Sequence, residues 1–170
     1  GGSCRIPAAF CGVVGYKPTA GRISTKGCFP LAPSLDSIGP LTRSVACAAM
    51  VDAVIAGEPT GKLPDLPIAG LRLAVPQTYV IDSLEPAIAT AFERALSACS
   101  AAGAMVLSPR LEVIGRTREL FAKGGIGGAE AWHLHRDWIA TKGDLYDPKV
   151  RLRMALAREQ TASDYIGLRQ

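Results

Sequence analysis

Between Leu71 and Leu107 an apolar strand-like run, an amphipathic helical segment and a second apolar run follow one another closely, and no other stretch narrows the fold as much. Leu71-Arg72-Leu73-Ala74-Val75 stops at Pro76, and Ala104-Met105-Val106-Leu107 follows Gly103. From Pro86 to Ala102 the residues Ile88, Ala91, Phe92, Ala95, Leu96 and Cys99 recur at helical spacing along one stripe. Strand, helix and strand in so short a segment make a βαβ unit, so the pattern predicts parallel strands joined by a right-handed crossover. The chain is therefore expected in the α/β class.

On either side of this unit the signals are more local. Val13–Lys17 reads as a short buried strand stopped by Pro18, and glycine and proline then punctuate the chain from Gly21 to Pro40, the pattern of a binding or active-site segment. Within it Lys17 and Arg22 are either anion contacts or donors to loop carbonyls. Ser44 is placed to cap a helix over Val45–Ala56, with Cys47, Met50, Val51, Val54 and Ile55 at helical spacing along one stripe and Gly57 closing it. Gly57–Leu63 falls one residue short of a phosphate loop and has Leu63 where a hydroxyl is required, so Glu58–Gly70 reads as a surface connection.

From Arg116 the chain turns helical. Gly124-Gly125-Ile126-Gly127-Gly128 has no strand before it, which excludes a dinucleotide fingerprint and favours close helix packing or substrate access. His133 and His135, two apart on a helix, do not share a face, and no further ligand completes a metal set. Asp144–Pro148 caps a helix from Lys149 to about Arg158, and Thr161 begins another.

Composition bounds what such a fold can do. With 170 residues, 48% hydrophobic and 20% charged, the chain has material for one globular core. The net charge of +4 is dispersed, which argues against nucleic acid, and the basic group Lys149, Arg151, Arg153 and Arg158 reads as a solvated helix face. No apolar run is long enough to cross a bilayer. Cys4, Cys11, Cys28, Cys47 and Cys99 form no Cys-x-x-Cys pair, which suits a reducing, cytoplasmic compartment.

The chain opens Gly1-Gly2-Ser3-Cys4-Arg5-Ile6-Pro7-Ala8-Ala9-Phe10-Cys11-Gly12. Gly-Gly-Ser by itself equally describes a flexible chain end, but a serine behind two glycines also sits on backbone that can reach φ > 0 and approach a substrate carbonyl closely. Two further blocks follow in order: Cys11-Gly12-Val13-Val14-Gly15-Tyr16-Lys17-Pro18-Thr19-Ala20-Gly21-Arg22 and Pro33-Ser34-Leu35-Asp36-Ser37-Ile38-Gly39-Pro40-Leu41-Thr42-Arg43-Ser44. Together they resemble the amidase signature family.

The resemblance implies a mixed central β-sheet covered by helices on both faces, and a Ser-cisSer-Lys triad whose nucleophile is Ser3. Backbone N–H groups at Gly1, Gly2 and Ser3 would then hold the oxyanion, and Arg5 would support the loop. The triad lysine and cis-serine lie upstream of the nucleophile in the family, so residues 1–170 read as part of a single amidase domain, and Lys17 is not the catalytic lysine. The implied activity is hydrolysis of a small-molecule amide through an acyl-enzyme, with no metal or organic cofactor, no nucleic-acid or membrane contact, and a homodimer left open. The alternatives are the glutaminase subunit of an aspartyl/glutamyl-tRNA amidotransferase, working with partner subunits, and an inactive fragment with a structural or binding role.

Overall fold

The computed structural model describes residues 2–170, which gather into two compact units. One runs to Leu63 and resumes at Ala122, and the other is Pro64–Phe121.

In the first unit, helix α1 (Gly2–Cys11) closes at Gly12, whose φ of 63° lets the Val13 N–H turn back to the Ala8 carbonyl at 3.0 Å. Strand β1 (Val14–Gly15) pairs antiparallel with β2 (Leu41–Thr42), Val14 opposite Thr42 and Gly15 opposite Leu41. The strand expected over Val13–Lys17 is thus shorter; Tyr16 still donates to the Pro40 carbonyl at 3.1 Å, and Pro18 then removes the next donor.

Helix α2 (Val45–Ala56) begins and ends as expected. Ser44 Oγ accepts from the Cys47 N–H at 3.2 Å, and Gly57 takes φ 72°. Its apolar stripe faces outward. Met50, Val51, Val54 and Ile55 stand exposed, whereas Ala48 and Asp52 are buried. α2 packs on β1 and β2, and the close approach of a helix to so short a ladder selects its small side chains rather than its bulky ones.

The second unit carries the βαβ pattern. Strand β3 (Arg72–Ala74) runs parallel to β4 (Met105–Leu107), with Arg72, Leu73 and Ala74 opposite Met105, Val106 and Leu107. Helix α3 (Pro86–Ala101) connects them, and the Ala104 N–H reaches back to the Cys99 carbonyl at 3.0 Å as the chain turns through Gly103 into β4. α3 packs against β4, keeps Leu96 and Cys99 half-buried and has no fully buried residue. Two short helices that the sequence reading does not separate, α4 (Glu112–Gly115) and α5 (Thr117–Leu120), end this unit.

The first unit resumes with α6 (Gly125–Lys142), α7 (Pro148–Ala155) and α8 (Ala162–Leu168). Asp147 caps α7 by accepting from the N–H groups of Lys149 and Val150 at 2.9 and 3.1 Å, and Thr161 with Asp164 forms a capping box on α8. The glycine run lets α6 come close to the 3-10 turn Leu156–Glu159 that follows α7: a Cβ on Gly128 would lie 3.3 Å from Ala157 Cβ. This is close packing, one of the two roles that the run suggests. Among the described residues no helix is long and apolar enough to cross a membrane.

Candidate active site

Ser3 lies exposed in the first turn of α1, while Cys4 and Ala8, on the other face, are 7% and 2% exposed. What holds that face is backbone rather than bulk. A Cβ on Gly15 would overlap the Cys4 carbonyl oxygen and the Ala8 methyl, so only glycine lets α1 settle against β1. One layer behind, a Cβ on Gly39 would overlap the Tyr16 carbonyl and lie 3.1 Å from the ring of Pro18, which is fully buried. Cys4 Sγ points at the Gly39 carbonyl, 3.8 Å away. The three motif blocks therefore meet in one place, and they meet through their glycines.

The helix starts earlier than expected. Pro7 reads as a first-turn residue, which would begin the helix after Ser3, but α1 already includes Gly2 and carries Pro7 inside it. The proline ring has helical φ, and its missing N–H falls opposite the carbonyl of Ser3, so the helix passes through it at the loss of one hydrogen bond. Gly2 accordingly is helical rather than at positive φ, and a Cβ there would come within 3.1 Å of Ile6 Cδ1. The N–H groups of Gly2 and Ser3 belong to the first turn, where no intrahelical acceptor exists, and the helix dipole makes that end favourable for an anion. Gly1 lies outside the described residues. Arg5 is exposed on α1, two positions past Ser3.

The other charged groups of the punctuated stretch are used internally. Lys17 Nζ donates to the Pro18 carbonyl at 2.5 Å. Arg22 contacts anionic side chains of the chain itself rather than loop carbonyls. Its Nε donates to Asp52 at 2.8 Å, and its two terminal nitrogens grip Glu58 at 2.7 Å each. These bonds, those to Glu58 first, push the guanidinium further up, and the same contact holds the Glu58 carboxyl below its ordinary range. Asp52 is 5% exposed, and its Oδ1 has no hydrogen-bond partner among the described residues.

His133 and His135 part company, as their spacing requires. His135 is 3% exposed and sits among Phe29, Trp138 and Tyr146, with Nδ1 2.8 Å from Tyr146 Oη and Nε2 3.2 Å from the Pro30 carbonyl. A carbonyl can only accept, so Nε2 carries a proton and, in the neutral ring, Nδ1 accepts from the tyrosine. His133 is exposed instead and faces a cleft with Glu130 and Tyr165. Nearby, Asp36 ties its own loop by accepting from the N–H groups of Leu31 and Ala32 at 2.9 and 3.1 Å. An aspartate in a turn is a signal that sequence can carry. The Glu130 and His135 contacts, roughly a hundred positions apart in the chain, carry no local signal.

Comparison with known proteins places these features. The family model described as Amidase matches residues 1–161. The 2-amino-5-chloromuconic acid deaminase of Comamonas testosteroni is 34% identical over 167 residues, 97% of this chain and 36% of that protein. A subunit of the glutamyl-tRNA(Gln) amidotransferase of Syntrophobacter fumaroxidans is 44% identical over 119 residues, 62% of this chain and 24% of that one. A crystal structure of an amidase matches with a TM-score of 0.83 at 33% identity, over 98% of this chain and 37% of its own. The chain thus spans between 24% and 37% of the length of these relatives. With its α/β fold and all three motif blocks accounted for in this way, the chain belongs to the amidase family.

Proposed function

We propose that the protein hydrolyses the amide bond of a small molecule with Ser3 as nucleophile. The observation that carries this reading is the exposed Ser3 hydroxyl in the first turn of α1, whose opposite face is pinned by Gly15 and Gly39. Ser3 Oγ attacks the carboxamide carbon, and the negative charge moves to the carbonyl oxygen. The N–H groups of Gly2 and Ser3, with that of Gly1 as the family resemblance implies, are the oxyanion donors of this reading, each contributing about 3 kcal/mol of transition-state stabilisation. The C–N bond then breaks, the departing nitrogen takes the proton that left Ser3, and ammonia or an amine is released. Water attacks the resulting ester and restores the hydroxyl. The serine and lysine of a Ser-cisSer-Lys triad pass the proton; Lys17, committed to the Pro18 carbonyl, does not. Arg5 supports the loop from α1.

The likeness to the amidotransferase supports a second reading, a glutaminase that supplies ammonia to partner subunits. It extends over 62% of the chain, against 97% for the deaminase, which favours the free-standing hydrolase. The five free cysteines fit a reducing, cytoplasmic setting. A serine-directed fluorophosphonate tests the reading in the full-length protein. It is expected to label Ser3, and Ser3→Ala is expected to end both labelling and amide hydrolysis. Turnover surviving in the alanine variant refutes the assignment. Glutamine as sole substrate, with activity raised by partner subunits, turns it to the second reading.

A further inference from the structure

On the first unit, α6, α8 and the turn at Pro33-Ser34 enclose an open cleft of about 460 Å³. Its walls are mostly apolar, with Ala129 and Leu134 contributed by α6 and Pro33 by the turn. Set into them are a single carboxylate, Glu130, and the exposed imidazole of His133. Glu130 Oε2 accepts from the Ser34 N–H at 2.9 Å, and Oε1 accepts from the Ser34 hydroxyl and, at 3.3 Å, from Tyr165 Oη. All three donors are neutral. Among the described residues no lysine or arginine forms an ion pair with Glu130, although the other ion pairs of this unit include Arg22–Asp52, Lys123–Asp164 and Arg151–Asp144.

A carboxylate offers about four acceptor positions. The three bonds fix the group rigidly, leave one acceptor position and leave its charge unneutralised beside apolar walls. Such a surface favours a ligand with one cationic donor and an apolar body, and it disfavours an anion. We propose that this cleft binds a primary ammonium group against Glu130, with the ligand's hydrocarbon part along Leu134 and Pro33. Ser34 and Tyr165 are positioning residues: they hold the carboxylate and do not touch the ligand. The site stands apart from the hydrolytic reading, since it requires only binding.

The test uses the full-length protein carrying Ser3→Ala, so that neither probe can be consumed, and calorimetric titration with L-leucinamide and with 4-methylpentanamide. The two share a carbon skeleton and an amide and differ in the α-ammonium. A charge-assisted hydrogen bond predicts that leucinamide binds roughly tenfold or more tightly. Glu130→Gln, which keeps an acceptor for Ser34 and removes the charge, is expected to abolish that difference while leaving 4-methylpentanamide unchanged. Equal binding of the two amides by the parent protein overturns the proposal without recourse to any variant. So does a preference for leucinamide that survives Glu130→Gln, or a variant that weakens both amides equally. Hydrolysis by protein with Ser3 intact is read separately, so its failure bears on the nucleophile and not on this cleft.

Discussion

The neighbourhood of α1 and the βαβ unit solve one problem, seating a helix on a pair of very short strands, in different ways. Around α1 the contact is made by groups with almost no side chain: Gly15 and Gly39 bring backbone against backbone, and Ala8 is 2% exposed. In the βαβ unit the contact is made by larger side chains that are only partly covered, and Ile88 on α3 remains 56% exposed. The first arrangement seats α1 by backbone contact and tolerates no added atom. The second tolerates change and positions nothing so closely. A nucleophile that must meet its oxyanion donors needs the first kind.

The largest effect separates catalysis from packing inside the α1 region. Because Ser3 points outward, Ser3→Ala in the full-length protein is expected to lower kcat/KM for an amide on the order of 10⁴-fold or more, with an unchanged melting temperature. A variant that melts several degrees lower would show that Ser3 belongs to the packing, and the contrast between the two sides of α1 would be lost.

Next in size is the glycine contact itself. Gly15→Ala drives a methyl into the Cys4 carbonyl and is expected to destabilise by roughly 3 kcal/mol. Gly61→Ala, with open space around it, is expected to stay within about 0.5 kcal/mol of the parent. Denaturant titration compares the two. Equal midpoints would break the claim that backbone approach holds α1. In the other region, Leu96→Ala removes a half-buried side chain, and a loss of about 1–2 kcal/mol is expected, below that of a full core deletion. A loss as large as that of Gly15→Ala would mean that the two regions are packed alike.

The same contrast decides what is legible in the sequence. Element ends are local chemistry, and Ser44, Gly57, Gly103, Asp147 and Thr161 announce them. The βαβ unit is legible because periodicity and terminators both act within a few residues. The resemblance points to Ser3 as nucleophile, but the start of the helix that carries it is not legible, because Pro7 has the form of a start signal and lies inside. The facing of α2 escapes for a different reason. Helical spacing gives a stripe, not its direction, and the buried Asp52 is explained only by Arg22, thirty positions away. Glu130 and Ser34 are ninety-six apart. Contacts of that separation depend on how the elements assemble, which no window of sequence reports.

The smallest effect concerns a contact built from local chemistry alone, the α8 cap, and it is readable by pH. Asp164 accepts from the Thr161 N–H at 2.8 Å and hydroxyl at 2.9 Å, and from Lys123 Nζ at 3.1 Å. These contacts, the Thr161 backbone bond first, lower its pKa from 3.8 to about 2. A carboxyl whose folded value lies below its unfolded value stabilises the fold wherever it is ionised in both states, and that contribution disappears as pH falls through the folded value. The melting-temperature gap between the parent and Asp164→Asn is therefore expected to be constant above about pH 5, to narrow below about 4 and to reach its minimum only below about 2. Salt divides the gap further. The Lys123 pair is solvent-exposed and should weaken in ~1 M salt, where the Debye length is about 3 Å, whereas the bonds to Thr161 are short-ranged and should persist. A gap that stays flat down to about pH 2 would mean the charge of Asp164 contributes nothing. A gap that vanishes in salt at neutral pH would assign its effect to Lys123 rather than to the cap.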